Sequence, residues 1–168
     1  MKKYITIRSL IDSDWQDLRA IRLEALETHR GLFLRSYAEE AAYDEARWKA
    51  LINHENGKVF GLFEGGHMIG ITGVFRDKDD VSGKTAKLSM SYIKAEYRRL
   101  GLSRLLYHAR LEWAQAAGFE RAAVSHRDGN EASRRANQAF GFKWVSSEAI
   151  DWVDGSRALD HRYELKLR

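Results

Sequence analysis

The sequence predicts an α/β (α+β) fold, a mixed and mostly antiparallel sheet of six to seven strands flanked by four helices. The first observation behind this prediction is hydrophobic periodicity, which is two residues in some segments and three to four in others. The second is segment order: strand, two helices, three strands, helix, strand, helix and two strands. With 168 residues, 44% of them hydrophobic, residues 1–168 are predicted to form a single domain with one core.

The first half of the chain is predicted to hold three strands and two helices. Ser13 followed by Gln16 is typical of a capping box and predicts a helix start. The Gly65-Gly66 pair between two apolar segments predicts a β-hairpin. The elements expected here are a strand over 4–8, helices over 13–29 and 39–53, and strands over 58–64 and 67–75.

Residues 87–117 are the most informative stretch, because the period changes there from two to helical. Leu88, Met90 and Tyr92 alternate with serines and predict a strand with these three side chains on one face. The turn at 98–104 carries a glycine and cations at a helix start, whose unpaired N–H groups suit a phosphate. The apolar stripe predicted for the helix consists of Leu102, Leu105, Leu106, Ala109, Trp113 and Ala116.

The last third of the chain is predicted to complete the sheet. Gly118 is placed to end the long helix, and the next strand should lie parallel to the strand before that helix. Asp154-Gly155 indicates a hairpin turn near the end. The expected elements are a strand over 121–126, a helix from about 128 to 139, and strands over 143–153 and 159–167.

Composition excludes several classes of protein. The chain has no cysteine, so disulfides and thiolate metal sites are excluded, and no metal is expected. No apolar run is long enough to span a membrane and the start lacks a signal-peptide core, so no membrane partner and a cytoplasmic location are expected. The cations behind the net charge of +4 are scattered and the aromatics have core spacing, which disfavours a nucleic-acid partner. Monomer and homodimer both stay open.

Two blocks of sequence carry a resemblance to a known family. The spacing Arg98-x-x-Gly101-x-Ser103 resembles the acyl-CoA signature of the GNAT N-acetyltransferase superfamily. Residues 130–133, which begin with an asparagine, and the Phe-Gly-Phe at 140–142 resemble its second signature. The element order also fits, so the resemblance covers nearly the whole chain. It implies direct transfer of an acetyl group from acetyl-CoA to a primary amine of a small molecule or peptide.

The resemblance also implies a cosubstrate site. The fourth and fifth strands would splay apart, and the pantetheine arm would pair with the fourth strand like an extra strand. Backbone N–H groups of the 99–104 turn would hold the pyrophosphate, and an N–H of Tyr92 or Ile93 would polarise the thioester carbonyl. Asn130 is expected to fix pantetheine, to cap its helix, or both. The cosubstrate-binding residues implied are Ser91, Tyr92, Ile93, Arg98, Arg99, Gly101, Leu102, Ser103, Arg104 and Asn130.

The proton donor is the point where the chain departs from the family. Asn137 stands where the family usually has a tyrosine that protonates the departing thiolate, and an amide cannot deliver that proton. Ser133, Ser125, His126 or a water are the candidate substitutes, although a surface-loop histidine is the favoured interpretation of His126. A catalytically degenerate module that binds CoA and regulates or interacts is therefore the alternative function.

The segment linking the first two helices, residues 30–37, has two interpretations. It is apolar and aromatic, and the simpler one is that Leu32, Phe33 and Tyr37 pack in the core. The resemblance implies instead that it forms one wall of the cleft for the acceptor. The sequence does not identify the acceptor amine.

Overall fold

A computed structural model describes residues 4–168, which form one seven-stranded sheet covered on both faces. Helices α1 to α3 pack on one face, and α4 and α5 on the other. No helix among the described residues is long and apolar enough to cross a membrane. In chain order the elements are β1 (Ile5–Ser9), α1 (Trp15–Thr28), α2 (Tyr37–Ala41), α3 (Glu45–Ile52), β2 (Gly57–Glu64), β3 (His67–Arg76), β4 (Thr85–Ile93), α4 (Ser103–Ala116), β5 (Arg121–Arg127), α5 (Glu131–Ala139), β6 (Lys143–Asp151) and β7 (Arg157–Lys166).

The strand order β1-β2-β3-β4-β5-β7-β6 is antiparallel throughout except between β4 and β5. These two strands are parallel, as predicted, but they pair only from Thr85 opposite Arg121 to Lys87 opposite Ala123. Beyond Lys87 and Ala123 they separate, which confirms the predicted splay. We call this gap the β4–β5 opening.

A bulge in β4 overturns the predicted alternation of Leu88, Met90 and Tyr92. Pairing with β3 shifts register in this segment, and Met90 has a φ of 60°. An extra residue reverses which face the following side chains occupy. Leu88 therefore packs with α4 and α5, whereas Met90 and Tyr92 pack on the α1 side.

The predicted helix over 39–53 is wrong, because two short helices replace it. The carboxylate of Asp44 accepts the N–H of Arg47 at 2.8 Å and starts α3. The hydroxyl of Ser36 accepts the N–H of Glu39 at 3.1 Å and starts α2. Both are side-chain N-caps. The helix count is therefore five rather than four.

The capping box predicted at Ser13 is also wrong. Asp12–Asp14 form a short 3₁₀ turn before α1. The carboxylate of Asp14 accepts the N–H of Ile11 at 2.8 Å and an ion pair from Arg8 at the same distance. The carboxylate therefore stabilises the 3₁₀ turn, and Asp14 stands at the N-cap of α1 without a side-chain hydrogen bond to that helix.

The linking segment 30–37 packs in the core only in part. Phe33 packs against the core on the α1 side, as the core interpretation requires. Leu32 and Tyr37 are each 43% exposed, so core packing was wrong for these two.

Candidate active site

Two loops meet where β4 and β5 diverge, because the carboxyl ends of parallel neighbours lie at one edge of the sheet. The loop after β4 leads into α4, and the loop after β5 leads into α5. Phe140, at the end of α5, stacks on Tyr107 of α4 with 4.2 Å between ring centres, so the two helices that follow these loops contact each other. The resulting site has three parts: the 98–104 turn, the edge of β4, and the start of α5.

The backbone of the 98–104 turn is arranged to bind an anion. None of the N–H groups from Arg99 to Arg104 makes a hydrogen bond of normal geometry within the described chain. Arg99 and Gly101 have φ values of 60° and 72°, and such left-handed residues aim successive N–H groups into a concavity. A Cβ added at Gly101 would meet no atom within 4 Å, so the space above it is open. We call residues 99–104 the N–H cradle.

The side chains around the N–H cradle differ in what they contact. Arg99 and Arg104 are exposed and form no ion pair with any described residue. Leu102 is the N-cap of α4 without a side-chain cap, and exposed Ser103 is its first residue. The two free guanidinium groups therefore add positive charge beside the N–H groups of the cradle.

Arg98 is turned away from the cradle and fixes the end of β4. Its Nε donates to the carbonyl oxygen of Ile93 at 2.9 Å, and its Nη2 contacts His29 Nε2 at 3.1 Å. Its guanidinium carbon lies 5.4 Å from the centre of the Tyr92 ring. Here Arg98 acts on β4 and α1 and contributes no free charge to the cradle.

One of the two amides proposed to polarise a carbonyl faces the β4–β5 opening. Ile93 pairs with Gly70 on β3, and the N–H of the next residue, Lys94, donates to Ile69 O at 2.9 Å. In an antiparallel ladder this pattern makes Ile93 and Gly70 a non-hydrogen-bonded pair. The N–H of Ile93 therefore points away from β3, whereas that of Tyr92 belongs to the ladder.

The Tyr92 side chain lies on the α1 side of the sheet and is hydrogen-bonded to a carboxylate of α1. Its hydroxyl donates to Glu24 Oε2 at 2.7 Å, and Lys94 Nζ lies 3.7 Å from Oε1 of the same carboxylate. Burial first, and then Glu24, raise the pKa of Tyr92, so the phenol stays protonated near neutral pH. Tyr92 thus ties the edge of the site to α1.

His29 is held neutral beside this group. Its Nε2 must accept from Arg98, because guanidinium has only donors. Burial, and then the charge of Arg98, lower the pKa of His29 from 6.5. The His29 ring also lies beside the Tyr92 ring, with 6.0 Å between ring centres. The Tyr92 hydroxyl donates to Glu24 and is therefore not bonded to His29.

This environment predicts a pH dependence of stability. Since the folded-state pKa of His29 lies below its unfolded value of 6.5, the unfolded chain takes up the proton first and stability falls as pH drops below about 6.5. In urea melts at pH 7.5 and 5.0, His29→Gln should lose less stability between the two pH values than wild type. His67→Gln, on the exposed β2–β3 hairpin, is the control and should keep the wild-type difference. Equal losses in all three proteins would contradict the assignment.

A polar group that is buried except for Ser91 lies on the α4 side of β4. Arg110 Nη1 donates to Ser91 Oγ at 2.9 Å, and Ser91 Oγ lies 2.8 Å from Thr72 Oγ1. The Tyr107 hydroxyl donates to Asn137 Oδ1. Asn137 is 1% exposed, and its Nδ2 has no partner among the described residues.

The residues at the start of α5 cap the helix. Asn130 Oδ1 accepts the N–H of Ser133 at 3.2 Å, which is the N-cap role predicted for Asn130. The two residues are half-buried. A cavity of about 510 Å³ lies between this helix start and the α1–α2 link, lined by Gly31, Leu32, Arg127, Asp128, Gly129, Asn130, Glu131 and Ala132.

His126 lies within β5 and is 6% exposed, so its interpretation as a surface-loop residue was wrong. Its Nδ1 is 2.9 Å from Arg127 O, and its Nε2 is buried without a partner in the described chain. The ring lies 5.3 Å from that of Tyr163, on the face covered by α4 and α5. No group of three or more His, Cys, Asp or Glu side chains that could hold a metal occurs in residues 4–168.

Four residues of the site were not predicted from the sequence: Arg110, Tyr107, Glu24 and His29. Arg110 had a signal, since it stands four residues from Leu106 and from Ala114 on α4, and both of these are buried. A cation within a buried stripe indicates a specific role. The true inward face of α4 includes Tyr107, whereas Ala116, assigned to the stripe, is exposed.

Comparisons with known proteins agree on the family. The model of the acetyltransferase (GNAT) family matches residues 15–142. Among solved structures, a GNAT-family acetyltransferase from Streptococcus pneumoniae superposes with a TM-score of 0.84 at 19% identity, covering 97% of this chain and 99% of its own. A putative acetyltransferase from Salmonella typhimurium, solved with its cofactor acetyl-CoA, superposes with a TM-score of 0.84 at 19% identity. The match covers 98% of this chain and 95% of its own.

A ribosomal-protein-alanine N-acetyltransferase from Brucella melitensis also has a structure similar to this chain. It gives a TM-score of 0.81 at 19% identity, covering 96% of this chain and 99% of its own. A search of curated proteins found no match. At these identities the structural likeness establishes the fold.

Proposed function

Because the chain belongs to the GNAT acetyltransferase family, we propose that it transfers an acetyl group from acetyl-CoA to a primary amine of a small molecule or peptide. The observation that carries this proposal is the N–H cradle, whose amides from Arg99 to Arg104 have no acceptor in the described part of the chain. The oxygens of a diphosphate can accept hydrogen bonds from these amides, and its negative charge is favoured at the start of a helix. Arg99 and Arg104 would add direct contacts to phosphate oxygens.

The remaining geometry supports a direct transfer. The pantetheine arm would enter the β4–β5 opening and pair with the free edge of β4 beyond Lys87. The N–H of Ile93 points into this opening and would polarise the thioester carbonyl. The amine nitrogen would attack the carbonyl carbon and lose a proton to solvent, and the carbon–sulfur bond would break with its electron pair passing to sulfur. Removing one oxyanion-hole donor from other enzymes costs about 3 kcal/mol of activation free energy.

We place the acceptor in the 510 Å³ cavity beside this opening. Gly31 and Leu32 of the α1–α2 link line it, which supports the predicted role of this segment as a wall. Arg127 crosses the cavity wall, donating to Gly31 O at 2.8 Å and pairing with Asp154 at 2.7 Å. The half-buried Asn130 amide faces the same space and is available to the pantetheine arm.

One observation favours a second candidate function, a CoA-binding module without turnover. Asn137 is buried, bonded to Tyr107, and unable to donate a proton to a thiolate. General acid catalysis contributes about 10²–10⁴-fold, so a chain without it could bind without reacting at a useful rate.

Release of free thiol from acetyl-CoA separates the two functions. We expect release with at least one member of a panel of amino acids, polyamines, aminoglycosides and peptides with free N-termini. The panel should be run beside a melting curve with acetyl-CoA, which reports binding alone. Binding without thiol release from any amine would favour the regulatory module, and the lack of both would remove the acyl-CoA site.

A further inference from the structure

Arg110 is a buried cation without a counter-charge. Its side chain is 2% exposed, and its donors reach only neutral oxygens, Leu106 O at 3.0 Å and Ser91 Oγ at 2.9 Å. No described carboxylate pairs with it, whereas the other buried arginine, Arg22, pairs with Glu40 at 2.9 Å. Burial lowers the pKa of Arg110 to about 10, so the group stays charged at neutral pH. A buried charge is costly unless something compensates for it.

The surroundings of Arg110 also contain more donors than acceptors. The Arg110 guanidinium carbon lies 4.9 Å from the centre of the Tyr107 ring. The Tyr107 hydroxyl donates to Asn137, whose Nδ2 is buried and has no acceptor in residues 4–168. Guanidinium, phenol and amide donors thus lie together, and the described residues supply no anion to them.

This donor group lies at the β4–β5 opening. Ser91 follows the last β4 residue that pairs with β5, Lys87, by four positions. Arg110 reaches Ser91 from α4, so its charge lies beside the free part of β4. A ligand arm paired with this edge would bring its far end toward the guanidinium, and the phosphates at its other end would stay at the N–H cradle.

We propose that Arg110 is the counter-charge for the sulfur of coenzyme A, pairing with the thiolate that forms when the acyl group leaves. The proposal rests on the proposed function. The amine nitrogen bonds to the carbonyl carbon, the carbon–sulfur bond breaks, and its electron pair stays on sulfur beside Arg110. The proton lost by the amine passes to solvent, and the thiolate takes up a solvent proton on release. Because the thioester is neutral and the thiolate is not, the pairing favours the transition state over the ground state.

Arg110 also offers a solution to the loss of a proton donor at Asn137. A cation beside the sulfur makes thiolate a better leaving group without any proton transfer. Tyr107, the titratable group against Arg110, has its pKa raised by burial and stays neutral. It therefore supports Arg110 through its ring and does not compete for the anion.

The test compares binding of coenzyme A with that of desulfo-coenzyme A, which lacks the sulfur, by calorimetry between pH 6.5 and 9.5. The thiol of free coenzyme A is an alkyl thiol and is less acidic than a cysteine side chain, whose pKa is about 8.5. In wild type the affinity ratio of coenzyme A to desulfo-coenzyme A should rise at least tenfold with pH, starting below pH 8.5, because Arg110 favours the bound thiolate. In Arg110→Met the ratio should not rise. Arg104→Met is the matched control, since it should weaken both ligands and leave the wild-type rise in place.

A second readout needs no ligand. Removing a buried charge that lacks a partner should leave the melting temperature of Arg110→Met equal to or above that of wild type. A fall of several degrees in both Arg110→Met and Arg110→Gln would show that the side chain serves packing and would overturn the proposal. A rising ratio in Arg110→Met would also overturn it. If the ratio rises in Arg110→Met but desulfo-coenzyme A still binds tightly, the proposed function stands without the role of Arg110. If wild type binds neither ligand, both the proposed function and the role of Arg110 are overturned.

Discussion

Replacing Gly101 with glutamate is expected to abolish the thermal stabilisation of the protein by acetyl-CoA. A ligand at 100 times its Kd stabilises the folded state by about 2.7 kcal/mol. For a chain of this size that corresponds to a rise in Tm of about 5–11 °C. The glutamate side chain would enter the open space above Gly101, where no atom lies within 4 Å of a Cβ, and its carboxylate would occupy the anion position. Differential scanning fluorimetry with and without acetyl-CoA measures the shift.

The backbone at Gly101 requires a control for strain. Its φ of 72° is unfavourable for any residue with a Cβ and costs roughly 1–2 kcal/mol by itself. Gly118 has a φ of 90°, equally open surroundings, and a place at the far end of α4. Gly118→Glu should therefore show the same intrinsic destabilisation and a full acetyl-CoA shift.

Gly101→Ala separates strain in the cradle from the added charge. The methyl group meets no atom of the described residues within 4 Å, so part of the stabilisation by acetyl-CoA should survive. An undiminished shift in Gly101→Glu would show that the N–H groups of Arg99 to Arg104 do not hold the diphosphate. Loss of the shift in Gly118→Glu as well would attribute the effect to α4 as a whole.

Local sequence patterns predicted the parts of the fold that depend on local structure. The period change after Tyr92, the glycine at 101 and the asparagine at 130 act within a few residues of chain. Their consequences, a strand, a turn with free N–H groups and a capped helix, are accordingly where the sequence predicted them. Parallel β4 and β5 followed from the handedness of a strand, helix, strand unit.

The features that the sequence did not reveal depend on contacts between distant segments. Which face Met90 occupies is decided by a bulge against β3, and no pattern within β4 shows it. Arg110 contacts Ser91 from 19 residues away, and Tyr107 contacts Asn137 from 30. Such pairs form only after the sheet has placed α4 and α5 together. The contacts of Arg110 and Asn137 are therefore less predictable from sequence than the N–H cradle.

Glu40→Gln is expected to destabilise the protein by about 3–5 kcal/mol, because it leaves Arg22 charged, buried and unpaired. Arg22 Nε donates to the two oxygens of the Glu40 carboxylate at 2.9 and 3.3 Å, and the residues are 4% and 5% exposed. Burial is the larger influence and lowers the pKa of Arg22, with Glu40 opposing it. At about 2–4 °C per kcal/mol, Tm should fall by about 6–20 °C.

An exposed pair on the same helix provides the matched control. Glu27 of α1 pairs with Arg30 at 2.5 Å, and both side chains are more than half exposed. Glu27→Gln makes the same chemical change and should cost about 0–1 kcal/mol. The double variant Arg22→Met with Glu40→Leu removes both charges and should recover most of the stability lost in Glu40→Gln. A Glu40→Gln loss no larger than that of Glu27→Gln would contradict the buried pair.

The pair also bears on the proposed acceptor site, because it connects α1 to α2 across the 30–37 segment. The Arg22 guanidinium carbon lies 5.1 Å from the centre of the Phe33 ring. In the chain, Phe33 directly follows Gly31 and Leu32, which line the cavity. When Glu40→Gln loosens α2, this wall should loosen with it, while the N–H cradle on the far side of the sheet should not. The variant should therefore keep its Kd for acetyl-CoA at temperatures where it remains folded and show a raised KM for the acceptor amine.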